Sequence, residues 1–266
     1  EVYPLHIPLF TGSDNTVLDL NVMHSGNIRS MYITTADPEK DRSWVEKKKS
    51  NKAKGNGMVL LRPDGSVVYD GTLKQVKGRG NSTWYNPKKP YQIKLAEETD
   101  LLETGDPKEA ESTWVLLANY LDPSLLHNTV TFHLAEEFGI AFAPHSEPVD
   151  LYYDGVYLGS YELSEKTEVS DGRVDIRDLE EEIEELNPDV EDLPTEQTED
   201  EDQSALQYVT GLILPEDFTG GYLLEMDYEA RAKEEISWFR TEQGNYVVCK
   251  SPEYLSEEGL RYISDL

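Results

Sequence analysis

The chain has 266 residues and one cysteine, Cys249, so it can form no disulfide within itself and no cysteine-based zinc centre. Basic residues are scarce: 24 Lys and Arg stand against 53 Asp and Glu, a formal net charge of −29. A surface of that sign repels phosphate backbones and sets nucleic acid aside as a partner. No apolar run approaches the roughly 20 residues that a membrane helix needs. The opening Glu1-Val2-Tyr3-Pro4 shows no basic start followed by an apolar stretch. Familiar catalytic patterns are missing too: there is no Gly-x-Ser-x-Gly elbow, no Walker loop and no His-Glu-x-x-His. The five histidines show no ligand spacing, and His127 and His133, six apart, fall on different sides of one helix, so no metal site is expected. With 53 acids, paired carboxylates carry no information.

What is present is mostly strand. Residues 17–23 and 30–35 alternate apolar and polar side chains around a Gly26-Asn27 turn, and a lysine-rich stretch over 47–54 reads as a solvated loop. Residues 58–61 and 66–69 flank Arg62-Pro63-Asp64-Gly65, a hairpin in which proline presets the turn and glycine accepts positive φ. Strands follow at 72–77 and 90–95. A helix is expected from Asp122 as N-cap with Pro123 at its first position, carrying Leu126, Val130, Leu134 and Phe138 on one face and stopping at Gly139. A second hairpin turns on Asp154-Gly155. Cys249 is expected to be a buried strand residue, and Trp84, Trp114 and Trp238 core residues.

Residues 178–202 hold fourteen acids and no Lys or Arg. Apart from a helical extension over 179–186, this stretch has too little apolar surface to offset its ordering entropy, and a mobile acidic loop is expected. Strands are expected again around 220–227, 238–239 and 246–250, with a helix starting near Ser256.

The informative segment is Gly78-Arg79-Gly80-Asn81-Ser82-Thr83-Trp84, followed by Lys88-Lys89-Pro90-Tyr91-Gln92-Ile93-Lys94-Leu95. A glycine turn lets backbone N–H groups approach an anion, and Arg79, Ser82 and Thr83 add donors. Beside it runs a strand with Lys88, Gln92 and Lys94 on one face and Tyr91, Ile93 and Leu95 on the other. Such an arrangement suits a polyphosphate, although glycine turns and solvated lysine faces are common without one.

The order of blocks says more. The glycine segment, Leu117-Ala118-Asn119-Tyr120-Leu121-Asp122-Pro123 to Asn128, Val149-Asp150-Leu151-Tyr152 with Gly155 to Lys166, Gly220 to Glu225, and Lys250-Ser251-Pro252-Glu253 together resemble the CotH (spore coat protein H) kinase family, in its Gram-positive branch. The resemblance implies an α+β fold, a divergent protein-kinase-like one with an antiparallel small-lobe sheet, one packed helix and a truncated large lobe. On that reading residues 1–76 are a β-rich N-terminal region and 77–175 the nucleotide-binding core. Residues 176–215 are an acidic, mobile insertion, and 216–266 a hairpin region opening the large lobe.

The resemblance further implies ATP with Mg or Mn as cofactors. Gly78, Arg79, Gly80, Asn81, Ser82 and Thr83 would lie over the phosphates, with Lys88 pairing with them and Lys89 or Lys94 as substitutes. Glu165 would be a hinge residue or a lysine-pairing acid, against the plainer reading of an exposed strand-end acid. His127 stands where the family usually has arginine. The Asp and Asn residues of phosphoryl transfer are expected beyond Leu266. The implied activity is phosphorylation of Ser or Thr on a protein, one that is basic and serine-rich if the acidic stretch recruits it, at a cell surface, spore coat or other extracellular site. The alternative is a non-catalytic surface or coat module.

Overall fold

The computed structural model describes residues 2–11, 14–199 and 205–265, with side chains for 24–198 and 205–265. The expected strand at 17–23 lies where only the backbone is described. The chain divides between Lys166 and Thr167 into two compact units.

In the first unit β1 (Val2–Thr11) and β2 (Asp14–Met23) pair as an antiparallel hairpin. The remaining strands are β3 (Arg29–Thr34), β4 (Lys52–Ala53), β5 (Gly57–Leu61), β6 (Val67–Gly78), β7 (Tyr91–Thr99), β8 (Glu111–Leu117), β9 (Ser146–Tyr153) and β10 (Val156–Glu165). They run in the order β4-β6-β5-β3-β9-β10-β8-β7, and β7 pairs back with β6. Seven strands therefore close into a barrel, with β4 attached to the edge of β6. Closure depends on the twelve-residue β6. Its first half pairs with β5 and its second half with β7, with register shifts in both ladders that let it bend.

Alternation fills the interior. Met31 and Ile33, Met58 and Leu60, Tyr91, Ile93 and Leu95, Trp114 and Leu116, Val149 and Leu151, and Leu163 are all buried in one apolar cluster. These alternate residues point inward, so the barrel is packed rather than hollow. The expected hairpin over 58–69 is there as β5 and β6. The sheet is not wholly antiparallel, because β3 and β9 run parallel. The barrel fills the place of the expected antiparallel small-lobe sheet.

Two further corrections concern helices. A first short helix, α1 (Arg42–Val45), begins at Asp41, whose carboxylate accepts the Trp44 N–H at 2.8 Å. The longer α2 spans His127–Glu137, not Pro123 onward. Asp122 does act at its entry, but by holding a turn: its carboxylate accepts the N–H groups of Ser124 at 2.9 Å and His127 at 2.8 Å. Nor is α2 a packed helix. None of its residues is buried, and Leu126, Val130, Leu134 and Phe138 remain exposed.

The second unit is a five-stranded antiparallel sheet in the order β11-β12-β14-β15-β13, made of β11 (Thr195–Glu199), β12 (Ala205–Val209), β13 (Leu223–Asp227), β14 (Trp238–Arg240) and β15 (Tyr246–Ser251). With it come α3 (Leu179–Leu186), α4 (Glu229–Ala232) and α5 (Glu257–Ser264). Here the acidic stretch departs from the expected mobile loop. Leu179 and Ile183 of α3 are buried, and β11 pairs in register with β12 along its whole length. An i, i+4 apolar pair and a paired backbone suffice to order it, while Glu181, Glu184 and Glu185 are exposed. Residues 200–202 of that stretch lie outside the described residues. Cys249 and Trp238 are buried, as expected, and burial pushes the Cys249 thiol up to about 12. Among the described residues no helix is long and apolar enough to cross a membrane.

Candidate functional site

The glycine segment begins as β6 ends. Gly78 is needed because a Cβ there would lie 2.2 Å from the ring of Trp84, which folds back over it. Gly80 sits at φ +81°, and a Cβ would meet Thr83 Oγ1 at 2.1 Å. The two glycines thus permit a tight turn into a short 3₁₀ stretch, Ser82–Tyr85, with Trp84 tucked inward and Ser82 and Thr83 exposed. Asn81 caps this stretch without a side-chain cap bond, and its amide oxygen lies 3.5 Å from Lys49 Nζ.

The lysines that follow are mostly engaged. Lys88 donates to the Ser160 carbonyl and lies 4.3 Å from the centroid of the Tyr161 ring, and burial lowers its pKa. Lys89 donates to the Trp84 carbonyl at 2.7 Å and lies 5.0 Å above the Trp84 ring, while Tyr161 Oη donates to the Lys89 carbonyl at 2.9 Å. Together these contacts staple the 78–90 segment to β10. Lys94 is exposed on the outer face of β7. Glu165 is not an exposed strand-end acid: it is buried, and its carboxylate accepts the His145 N–H at 2.8 Å. Lys88 and Glu165 are not brought together. Lys88 meets β10 at Ser160, and Glu165 comes five residues later, roughly 16 Å along an extended strand.

Arg79 is placed differently. Its backbone N–H donates to the Pro90 carbonyl at 3.2 Å, and its side chain lines a pocket of about 470 Å³. Thr83, Asn119, Asp122, His127 and Asn128 share the lining, with Tyr120 and Phe132 as its aromatic surface. Among the described residues no hydrogen bond or ion pair reaches the Arg79 guanidinium. Burial lowers its pKa, yet an arginine stays charged at any physiological pH. A charged, partly desolvated fork of donors with no bonded partner has the chemistry to receive an anion.

Asn119 and Asn128, which share the lining, are held by a polar relay. Glu162 is buried on β10 and accepts from Asn119 Nδ2 at 2.9 Å, Thr129 Oγ1 at 2.8 Å and Ser146 Oγ at 2.7 Å. Because Glu162 takes the amide nitrogen of Asn119, the Asn119 oxygen is left to accept Asn128 Nδ2 at 2.8 Å. Asn119 adopts φ +47° to make both contacts. Sequence reasoning gave neither asparagine nor Glu162 a role. The signal available was weak: two asparagines nine apart on either side of a helix start.

A comparison with protein families matches residues 76–229 to the family described as CotH kinase protein. The chain belongs to that family. The CotH match takes in the glycine turn, every lining residue of the pocket, the Glu162 relay and the acidic α3. Among curated proteins no match to the chain was found. The CotH kinase family in general implies ATP and a divalent ion.

The residues present fit the anionic part of such a ligand. Arg79 is a donor with no bonded acceptor among the described residues, and it lines an open pocket; the space beside Gly78 and Gly80 is taken by Trp84 and Thr83. They do not fit the ion. Asp122 is the one carboxylate in the pocket lining, and it is already committed to Ser124 and to the His127 N–H. Burial works against its charged form, but these bonds prevail and hold its pKa down at about 2. No metal-dependent step is therefore built on this pocket.

Proposed function

We propose that this chain is the nucleotide-binding part of a CotH-like protein kinase and that the phosphates of ATP sit against Arg79. The observation that carries the reading is the lone guanidinium in the pocket wall. Among the described residues no acceptor is bonded to it, and a phosphate would supply two oxygens in the fork geometry that arginine prefers. Ser82 and Thr83 supply hydroxyl donors, and Gly78, Gly80 and Asn81 form the tight turn that presents them. Lys88 and Lys89 contribute mainly by fixing the segment, and Lys88 can swing from the Ser160 carbonyl to a phosphate at the cost of one hydrogen bond. Lys94, exposed on β7, adds positive charge on the outer face of the same strand.

The Glu162–Asn119–Asn128 relay orients the two asparagines of the pocket lining. Its last member offers a carbonyl oxygen to a ligand donor. What this chain supplies is binding and orientation. The Asp and Asn groups that hold Mg²⁺ or Mn²⁺ and accept the substrate proton would come from outside this pocket, whose lining has one carboxylate. The acceptor would be Ser or Thr of a protein at a cell surface or spore coat, and the acidic face of the second unit favours a basic one. Since α3 contributes to the core of that unit and β11 pairs with β12, this is tested by neutralising exposed glutamates such as Glu181 and Glu185 rather than by deletion.

The test of the nucleotide reading is isothermal titration with ATP in Mg²⁺ buffer. The parent chain is expected to bind, Arg79→Ala to bind about tenfold or more weakly, and Arg79→Lys to fall between. No heat of binding from the parent, or equal affinity in Arg79→Ala, overturns the reading. The exposed apolar row of α2 favours a second reading, a module that binds other surface or coat proteins without catalysis. A chain that ignores nucleotides but assembles with such proteins would support it.

A further inference from the structure

Three residues far apart in sequence meet at one rim of the barrel. Glu109 closes the 3₁₀ turn Pro107–Glu109 that leads into β8, His145 immediately precedes β9, and Glu165 ends β10. The three strands are neighbours in the order β9-β10-β8, which places these ends side by side. His145 Nδ1 lies 3.3 Å from Glu165 Oε1 and 3.9 Å from Glu109 Oε2, and one ligand atom from each residue lies within 4.8 Å of the others. Among the described residues this is the only such group of three.

We propose that Glu109, His145 and Glu165 form a binding site for a divalent transition-metal ion of the zinc type. The donor set is one imidazole nitrogen and two carboxylate oxygens. That combination suits zinc and its neighbours, whereas calcium and magnesium sites are built from oxygen alone. In a tetrahedral site with bonds of about 2.0–2.2 Å, ligand atoms stand roughly 3.4 Å apart. The present separations need only small side-chain rotations to reach that value.

The positions of the ligands are fixed in advance. Glu165 Oε2 accepts the His145 backbone N–H at 2.8 Å, and the Glu165 N–H donates to the His145 carbonyl at 3.2 Å. One carboxylate oxygen is thus anchored, and the other is turned to the imidazole. Anchoring of this kind is what surrounds the ligands in built metal sites. The side chain of Glu165 is 1% exposed and that of Glu109 14%, while His145 at 46% gives an ion a path from solvent. Three protein ligands leave a fourth position for water.

The site is separate from the pocket. Glu109 precedes β8, and the one residue of β8 in the pocket lining is Leu117, at the other end of that strand. An ion here would tie together three strand ends of the barrel. The inference does not depend on nucleotide binding, and the readout below involves none.

The experiment is a Zn²⁺ titration of the full chain against a chromophoric chelator, in excess Mg²⁺ so that the many surface carboxylates are already screened. One site per chain is expected, weakened by about tenfold or more in His145→Ala and in Glu109→Gln. Metal-free thermal unfolding of each variant, run alongside, shows that the fold is retained. Zn²⁺ is expected to raise the unfolding temperature of the parent and not that of His145→Ala. No Zn²⁺ uptake by the folded parent, or uptake of equal affinity in parent and both folded variants, overturns the proposal.

Discussion

Helix α2 of the barrel unit and helices α3 and α5 of the second unit start from the same kind of sequence and end differently. Each carries apolar residues three or four apart. In α2 that row stays in solvent, with Val130 51% and Phe138 79% exposed, whereas Leu179 and Ile183 of α3 and Leu260 and Ile263 of α5 are buried. The barrel does not need α2, because its seven strands already fill their own interior. An open five-stranded sheet has a bare face, and α3 and α5 contribute to the core that covers it. Periodicity makes a helix and gives it a face; the neighbouring layer decides whether the face is used.

The largest expected effect tests whether the two regions stand on separate cores. Trp114 is wholly buried in the barrel, and Trp114→Ala should cost about 3–5 kcal/mol. Hydrogen exchange should show the loss of protection confined to barrel amides; an equal loss in β12 and β15 would break the division. Next, Ile183→Ala should destabilise the second unit by about 2–4 kcal/mol, while Leu134→Ala on α2 should change stability by less than about 0.5 kcal/mol in urea unfolding. Equal costs would mean that the α2 face is covered in solution.

Cys249 sharpens the same contrast from inside β15. With its thiol pushed up to about 12, it should react with a disulfide reagent on the order of a thousand-fold more slowly in native than in unfolded protein. Rapid native labelling would show that the second core opens readily. The smallest effect concerns the entry to α2, which depends on hydrogen bonds rather than packing. Asp122 has a folded pKa of about 2, below the roughly 3.9 of an unfolded chain. Its contribution is therefore complete above the unfolded value and lost as pH falls through about 2. Helical signal from α2 should fade over that window, and Asp122→Asn should remove the dependence while leaving the barrel folded.

Much of the barrel was legible. The 58–69 hairpin, the alternation of Tyr91, Ile93 and Leu95, and the strands ending at Glu165 follow from period-two patterning and turn chemistry. The glycine segment was legible as a tight turn, since only glycine tolerates the Trp84 ring at position 78 and φ +81° at position 80. Closure of the sheet was not, because it rests on the bend in β6 and on one parallel pairing between β3 and β9, neither of which has a local signature. The acidic stretch misled because its composition outweighed two well-spaced apolar residues.

For the candidate site the division is similar. Arg79 could be named from its loop, but not its lack of a partner. Lys88 and Lys89 could be named too, but not their attachment to the Ser160 and Trp84 carbonyls. The sequence by itself determined where strands alternate, where glycine must stand and which family the order of motifs belongs to, because each of these is a property of a few adjacent residues. Only the tertiary structure decided that Glu162 reaches Asn119, that Glu109, His145 and Glu165 share one rim, and that the apolar face of α2 goes unused. Those relations join positions tens of residues apart, and chain closure through a barrel is what brings them within bonding distance.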